Sequence, residues 1–295
     1  MLALAVAARL AGFAGAMVLF GAPLFQLYAR GSAAASGRML WGAAWAVLLG
    51  ALVSLSAQTA SMTGEAGDAL RLPAIWDVAS GTGFGKGVSA RLILAAGFAA
   101  VLAGVAASPG RTILLTLLGA GVTASFAWTG HGAGEDGAAG LLHQGGDVLH
   151  LLAAGAWLGA LAVLVAAVLT RSPDLEALHL GLNRFSAVGP AVVGVLILSG
   201  LVNSGFLVGL SGVALLAISP YGLLLLAKLA LFAVMLGLAW TNRRHLTPKL
   251  GAALGGTAAG EVRALRASLV IETLLGLGVL AAVAGLGMLE PVAHG

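Results

Sequence analysis

The sequence predicts an all-α membrane protein, a polytopic bundle of about eight transmembrane helices, on three observations. The first is composition: 60% of the 295 residues are hydrophobic and the mean hydropathy is +1.03. The second is charge. Asp, Glu, Lys and Arg make up 9% of the chain, against roughly 25% in soluble domains, so a water-facing globule would lack the polar surface to cover its core. The third is pattern: apolar residues come in runs of about 20, the length a helix needs to cross a bilayer, and none alternates as a barrel strand does. The 45 glycines suit close approach of such helices.

The stretch MLALAVAAR lacks the basic start and small-residue cleavage site of a signal peptide, and apolar sequence continues past Arg9, so a retained first span is expected over Leu10–Tyr28. Further spans are predicted at Leu40–Ala60, Val88–Ala107, Thr112–Gly130, Val148–Leu169 and Phe185–Leu207. Val208 to Ser219 carries no charge and is expected to be a short interfacial helix or loop. Tyr221–Thr241 and Leu265–Met288 complete the eight, which form one integral-membrane domain over residues 1–295.

Lys and Arg collect on the cytoplasmic side of membrane proteins. Arg30 and Arg38 follow span one, Arg111 follows span three, and Arg171 and Arg184 follow span five. Arg243, Arg244, Lys249, Arg263 and Arg266 lie after span seven. The intervening loops hold Glu65, Asp68, Asp77, Glu135, Asp136 and Asp147, so both termini are expected on the extracytoplasmic side. Arg9 fits this scheme poorly. A pI near 10.1 arises from a net charge of only +4 and reflects loop orientation rather than a nucleic-acid partner.

One stretch gathers polar chemistry. Trp128 to His150, WTGHGAGEDGAAGLLHQGGDVLH, contains three of the six histidines and three acids. Imidazole suits copper, zinc, iron and nickel. Spans four and five form a hairpin, which brings His131 near His150, and His150 lies a turn inside an apolar helix where polar groups are costly. Two geometries compete. If the helix begins by Leu141, then His143, Asp147 and His150 share one face, with the two histidines about 10 Å apart. If it begins after Gly145-Gly146, Asp147 is its N-cap and His143 is a loop residue that folds over the site. Asp147 serves as cap or as the partner that orients a ligand ring. His294, in the outer tail, is a weaker candidate, as are the thioethers of Met62 and Met288 toward Cu(I). The plain alternatives are solvated loop histidines and packing methionines.

Polar residues also interrupt the spans, chiefly Asn203, Lys228 and Glu272. Lys228 and Glu272, at different estimated depths, are read as an ion pair or as hydrogen-bond glue between neighbouring helices or, more sharply, Glu272 as a proton or cation relay, with Lys228 and Asn203 as further relay candidates. Arg91 is expected to extend its head to the outer interface. Cysteine is absent, which excludes thiolate sites and disulfides. GTGFGKG (Gly81 to Gly87) lacks the first glycine and the Ser/Thr of a phosphate loop, and no HExxH, GxSxG or dinucleotide fingerprint occurs. Nucleotide binding and hydrolysis are therefore not expected, and the chain is not read as an enzyme.

Several segments together carry a family resemblance: TGFGKGVSAR (Thr82 to Arg91), WTGH (Trp128 to His131), DVLHLLAAGAWLGAL (Asp147 to Leu161), RFSAVG (Arg184 to Gly189), SGLVN (Ser199 to Asn203), YGLLLLAKL (Tyr221 to Leu229), NRRHLTP (Asn242 to Pro248) and the last span with Glu272. In this order they resemble the CopD family of bacterial inner-membrane copper-resistance proteins, with the characteristic part at about residues 82–290. Ala160 stands where a second glycine is common, and Lys86-Gly87-Val88 where many members are bulkier. The resemblance implies copper, as Cu(I) or Cu(II), moved inward across the inner membrane together with a periplasmic copper-binding partner. On the histidine spacing described above, copper would be caught by His131 and His150, with His143 closing over it and Asp147 orienting a ring. A membrane haem or redox protein, and a copper-binding scaffold without transport, are the competing readings.

Overall fold

The computed structural model describes residues 2–130, 137–209, 211–254 and 258–292, and no strand occurs among them. The long helices are α1 (Leu2–Tyr28), α2 (Gly37–Thr63), α4 (Gly83–Gly104), α5 (Pro109–Ala124), α6 (Gly137–Val168), α7 (Leu175–Leu207), α8 (Pro220–Thr241) and α10 (Ala259–Leu286). Short helices α3 (Leu72–Gly81) and α9 (Thr247–Ala252) sit in connections, and a 3-10 turn, Ser125–Thr129, extends α5. Eight helices among the described residues are long and apolar enough to cross a membrane, and each contains or overlaps one predicted span.

Helix starts follow local chemistry. Ser36, Thr82, Ser108, Asp174 and Ser219 each accept a hydrogen bond from the backbone N–H three residues on, capping α2, α4, α5, α7 and α8. The start of α6 departs from the second geometry considered above. The helix begins at Gly137, so Asp147 is not a cap and His143 is not a loop residue. Gly145 and Gly146 are helical. A β-carbon at Gly146 would lie 2.8 Å from Asn203 Oδ1 on α7, so glycine there permits a close helix contact rather than ending the helix.

Helix α1 is the hub, packed against α2, α5, α6 and α10. A β-carbon at Gly21 would overlap the carbonyl oxygen of Gly155, and Gly159 meets the same segment of α1, so the α1–α6 crossing requires glycine on both sides. Further along the chain, α7 rests mainly on α6 and α8 on α10. The four helices enclose a cleft. Arg9, near the start of α1, abuts Gly287 just beyond α10, so the start of α1 and the end of α10 share one end of the bundle, called here the terminal end.

Candidate functional site

Helix α6 carries His143, His150 and Trp157 at intervals of seven residues, two helical turns, and so presents all three on the face toward the cleft. At the terminal end this face borders a cavity of about 210 Å³ whose polar lining is Arg9, His143, Asp147, His150, Asn203 and Lys228. Tyr221, Ser204 and the thioether of Met17 line it too.

His150 is fixed by α7. Its Nδ1 lies 3.0 Å from Ser199 Oγ. That hydroxyl donates to the Val195 carbonyl at 2.5 Å. In the tautomer with the ring proton on Nδ1, Ser199 Oγ accepts from His150 and the lone pair lies on Nε2. This is how protein metal sites orient an imidazole: a bond at one ring nitrogen sets the tautomer and leaves the other for the metal.

The other predicted residues lie around it as follows. Asp147 accepts from Asn203 Nδ2 at 2.6 Å. Lys228 borders the same cavity, near enough for its charge to act on both Asp147 and His150. His143, 1% exposed, stacks flat on Phe206 with ring centroids 4.6 Å apart. It is part of a packed α6–α7 contact and not a flap. About 10 Å of helical rise separates it from His150, too far for one ion to take both directly. His131 and His294 lie outside the described residues. Among the described residues no three His, Asp or Glu side chains converge as a metal cluster.

Two expectations are corrected. Lys228 does not pair with Glu272: the carboxylate oxygens accept instead from Trp157 Nε1 at 3.0 Å and Asn242 Nδ2 at 2.9 Å. Asn242 follows Lys228 by 14 residues on the same helical run, roughly 21 Å of rise, so the lysine and the acid sit at different depths. Arg91 does not reach for the interface. It is 3% exposed, donates to Ser125 Oγ, the Ser125 carbonyl and Thr129 Oγ1, and lies 3.4 Å over the Phe126 ring.

Met62 and Met288 are exposed and do not border the His150 cavity. The thioethers that line cavities beside His150 belong to buried Met17 and Met235, which the sequence reading missed. Ser199 was missed as well. Its position, on the opposing helix, has no signal in a single sequence beyond a polar residue in an apolar run.

Residues 1–141 match the family model "Copper resistance protein D-like, N-terminal domain", and residues 180–286 match "Copper resistance protein D". Copper resistance protein D of Pseudomonas syringae pv. tomato is 35% identical over 306 aligned residues, which cover 98% of this chain and 97% of that protein. No solved structure matches the chain. Matched end to end by such a relative, the chain belongs to the copper resistance protein D family, multi-pass proteins of the bacterial inner membrane that act in copper resistance and homeostasis.

Proposed function

We propose that the protein binds copper as its cargo in the cavity beside His150 and passes it inward across the membrane. The orientation is the one implied by the basic loops, with the terminal end outside. The observation that carries the reading is the Ser199 contact at His150 Nδ1, which in the Nδ1–H tautomer leaves Nε2 as a ligand for a soft or borderline cation. Asp147, held by Asn203, supplies negative charge, and Met17 adds a thioether suited to Cu(I). His143 stands further out as a receiving group, with Asp147 and Asn203 lining the same cavity, and His131 is a further candidate by its place in the sequence.

Copper would arrive from a periplasmic copper-binding partner, and the chain works as a single membrane unit, since α1 packs on both α6 and α10. The function is binding and movement, with no substrate bond made or broken. The haem reading has less support, because axial ligands come from facing spans, whereas both described histidines of this cavity are on α6.

Uptake of copper into proteoliposomes tests the proposal. Replacing His150→Ala should lower the initial rate at least about tenfold, in line with loss of a ligand-site group. Equal uptake by wild type and variant would take His150 off the pathway.

A further inference from the structure

Two more cavities lie inward of His150. The first, about 270 Å³, adjoins the metal cavity through His150 and Lys228 and has Met235 and Trp157 in its walls. The second, also about 270 Å³, lies beyond Trp157 and is bordered by Glu272, Asn242, Thr247, Ser186 and Arg243. The Trp157 indole is thus a wall common to both.

Glu272 is 1% exposed. Its two acceptor bonds come from neutral donors, Trp157 and Asn242, and Asn242 is itself fixed by Ser268 Oγ–H donating to its Oδ1 at 2.6 Å. Elements around the acid contribute little charge. Helix α6 offers Trp157, α7 offers Ser186, α9 offers Thr247, and the segment after α8 offers Asn242 and Arg243. Arg243 is exposed, and no ion pair joins it to Glu272 among the described residues. A carboxylate buried without a cation is costly, so the group must hold a proton or have a cation nearby.

The surroundings suit a proton. Thr247 Oγ1 is buried and has no hydrogen-bond partner among the described residues. Pro190, inside α7, has no N–H to give the Ser186 carbonyl, which adds an acceptor at this cavity. These oxygens are too few for a hard divalent cation, which takes about six to eight, yet enough for water, which needs two to four polar partners. The helix is irregular here: Asn242–Leu246 forms a π-turn, a feature often found at functional sites.

We propose that Glu272 is a charge-compensating proton site: its carboxyl releases a proton through the inner cavity to the inner compartment when copper occupies the cavity across Trp157, and takes one back from that compartment by the same route when the metal leaves. For each Cu(I) that arrives one proton departs to the inner compartment, so the charge buried around Trp157 is unchanged. Trp157 links the two events, since it faces the metal's path while donating to Glu272 Oε1. The inference rests on the transport reading above.

Proteoliposomes of fixed orientation, supplied with Cu(I) outside and buffered inside at a series of pH values, test it. Wild-type uptake should fall as the interior is acidified, by up to about tenfold per pH unit for a single proton. Glu272→Gln should be slow and insensitive to interior pH, while a melting temperature in detergent near that of wild type shows that it is folded. Glu272→Asp should retain the pH response, and Trp157→Phe, which keeps the carboxyl and removes one donor, should shift its midpoint. A wild-type response that survives in Glu272→Gln, or wild-type uptake indifferent to interior pH, overturns the proposal alone. Absence of uptake by the wild type overturns the transport reading and this site with it.

Discussion

The helices up to α5 and the helices α7 and α8 are built from the same small apolar residues, yet they pack in opposite ways. In the most apolar windows of α1 and of the α5 span 44% of residues are buried, against 11% for α7 and α8. Glycines explain part of the difference. A β-carbon at Gly119 of α5 would overlap the backbone of Leu19, whereas one at Gly194 or Gly205 of α7 meets nothing within 4 Å. Two cations, Arg91 buried and Lys228 half-buried, show the consequence. Arg91, in the dense half, has three hydrogen bonds and a ring beneath it. Lys228, in the open half, faces cavities on two sides. Around Arg91 the packing satisfies the cation, whereas around Lys228 it leaves space on two sides. Loosely packed regions are where binding and movement are expected.

The largest test of that contrast is Gly21→Leu, which forces a side chain into the Gly155 carbonyl. Overpacking of this kind costs about 3 kcal/mol or more, and the variant should fail to give folded protein by thermal unfolding in detergent. Next comes the pair of cations. Arg91→Ala should lower stability by about 2 kcal/mol through lost bonds and ring packing, while Lys228→Met should cost nothing measurable, because a desolvated charge is exchanged for an apolar chain of similar length. Equal melting temperatures for the two would erase the distinction between the halves.

Ser199→Ala should leave the melting temperature near that of wild type and weaken copper binding about 10- to 100-fold, the usual effect of losing a residue that orients a metal-binding imidazole. Titration of purified protein would show it. The smallest effect belongs to Gly194→Ala, predicted to stabilise by about 0.5–1 kcal/mol because the site is open and helical. A loss of stability there would mean that α7 is packed against something in the membrane.

The eight spans were legible because hydropathy alone enforces them: an uncharged run long enough to cross has no alternative in lipid. The start of α6 was only half legible. Gly145-Gly146 reads as a helix breaker in isolation, and only the presence of Asn203 and Val202 across the contact explains why glycine is helical there. Arg91 was misread for a similar reason. Its acceptors come from the turn Ser125–Thr129, 34 to 38 residues away in sequence, so a rule based on the ends of spans sent it to the interface. His150 was legible as a costly polar group inside a span. The hydroxyl that sets its tautomer was not, since helix rotation about α7 decides which of Ser199, Asn203 and Ser204 meets the ring. Lys228 and Glu272 stood out as polar groups within spans, but the partners of Glu272, Trp157 and Asn242, were not legible, because depth along neighbouring helices depends on tilt and offset that composition does not encode.

The most direct test of the copper site is X-ray absorption at the copper edge on the purified, copper-loaded protein, wild type beside His150→Ala. Imidazole scattering in the wild type, lost together with affinity in the variant, is the predicted result. Copper bound by His150→Ala with unchanged affinity and an unchanged spectrum would contradict the account.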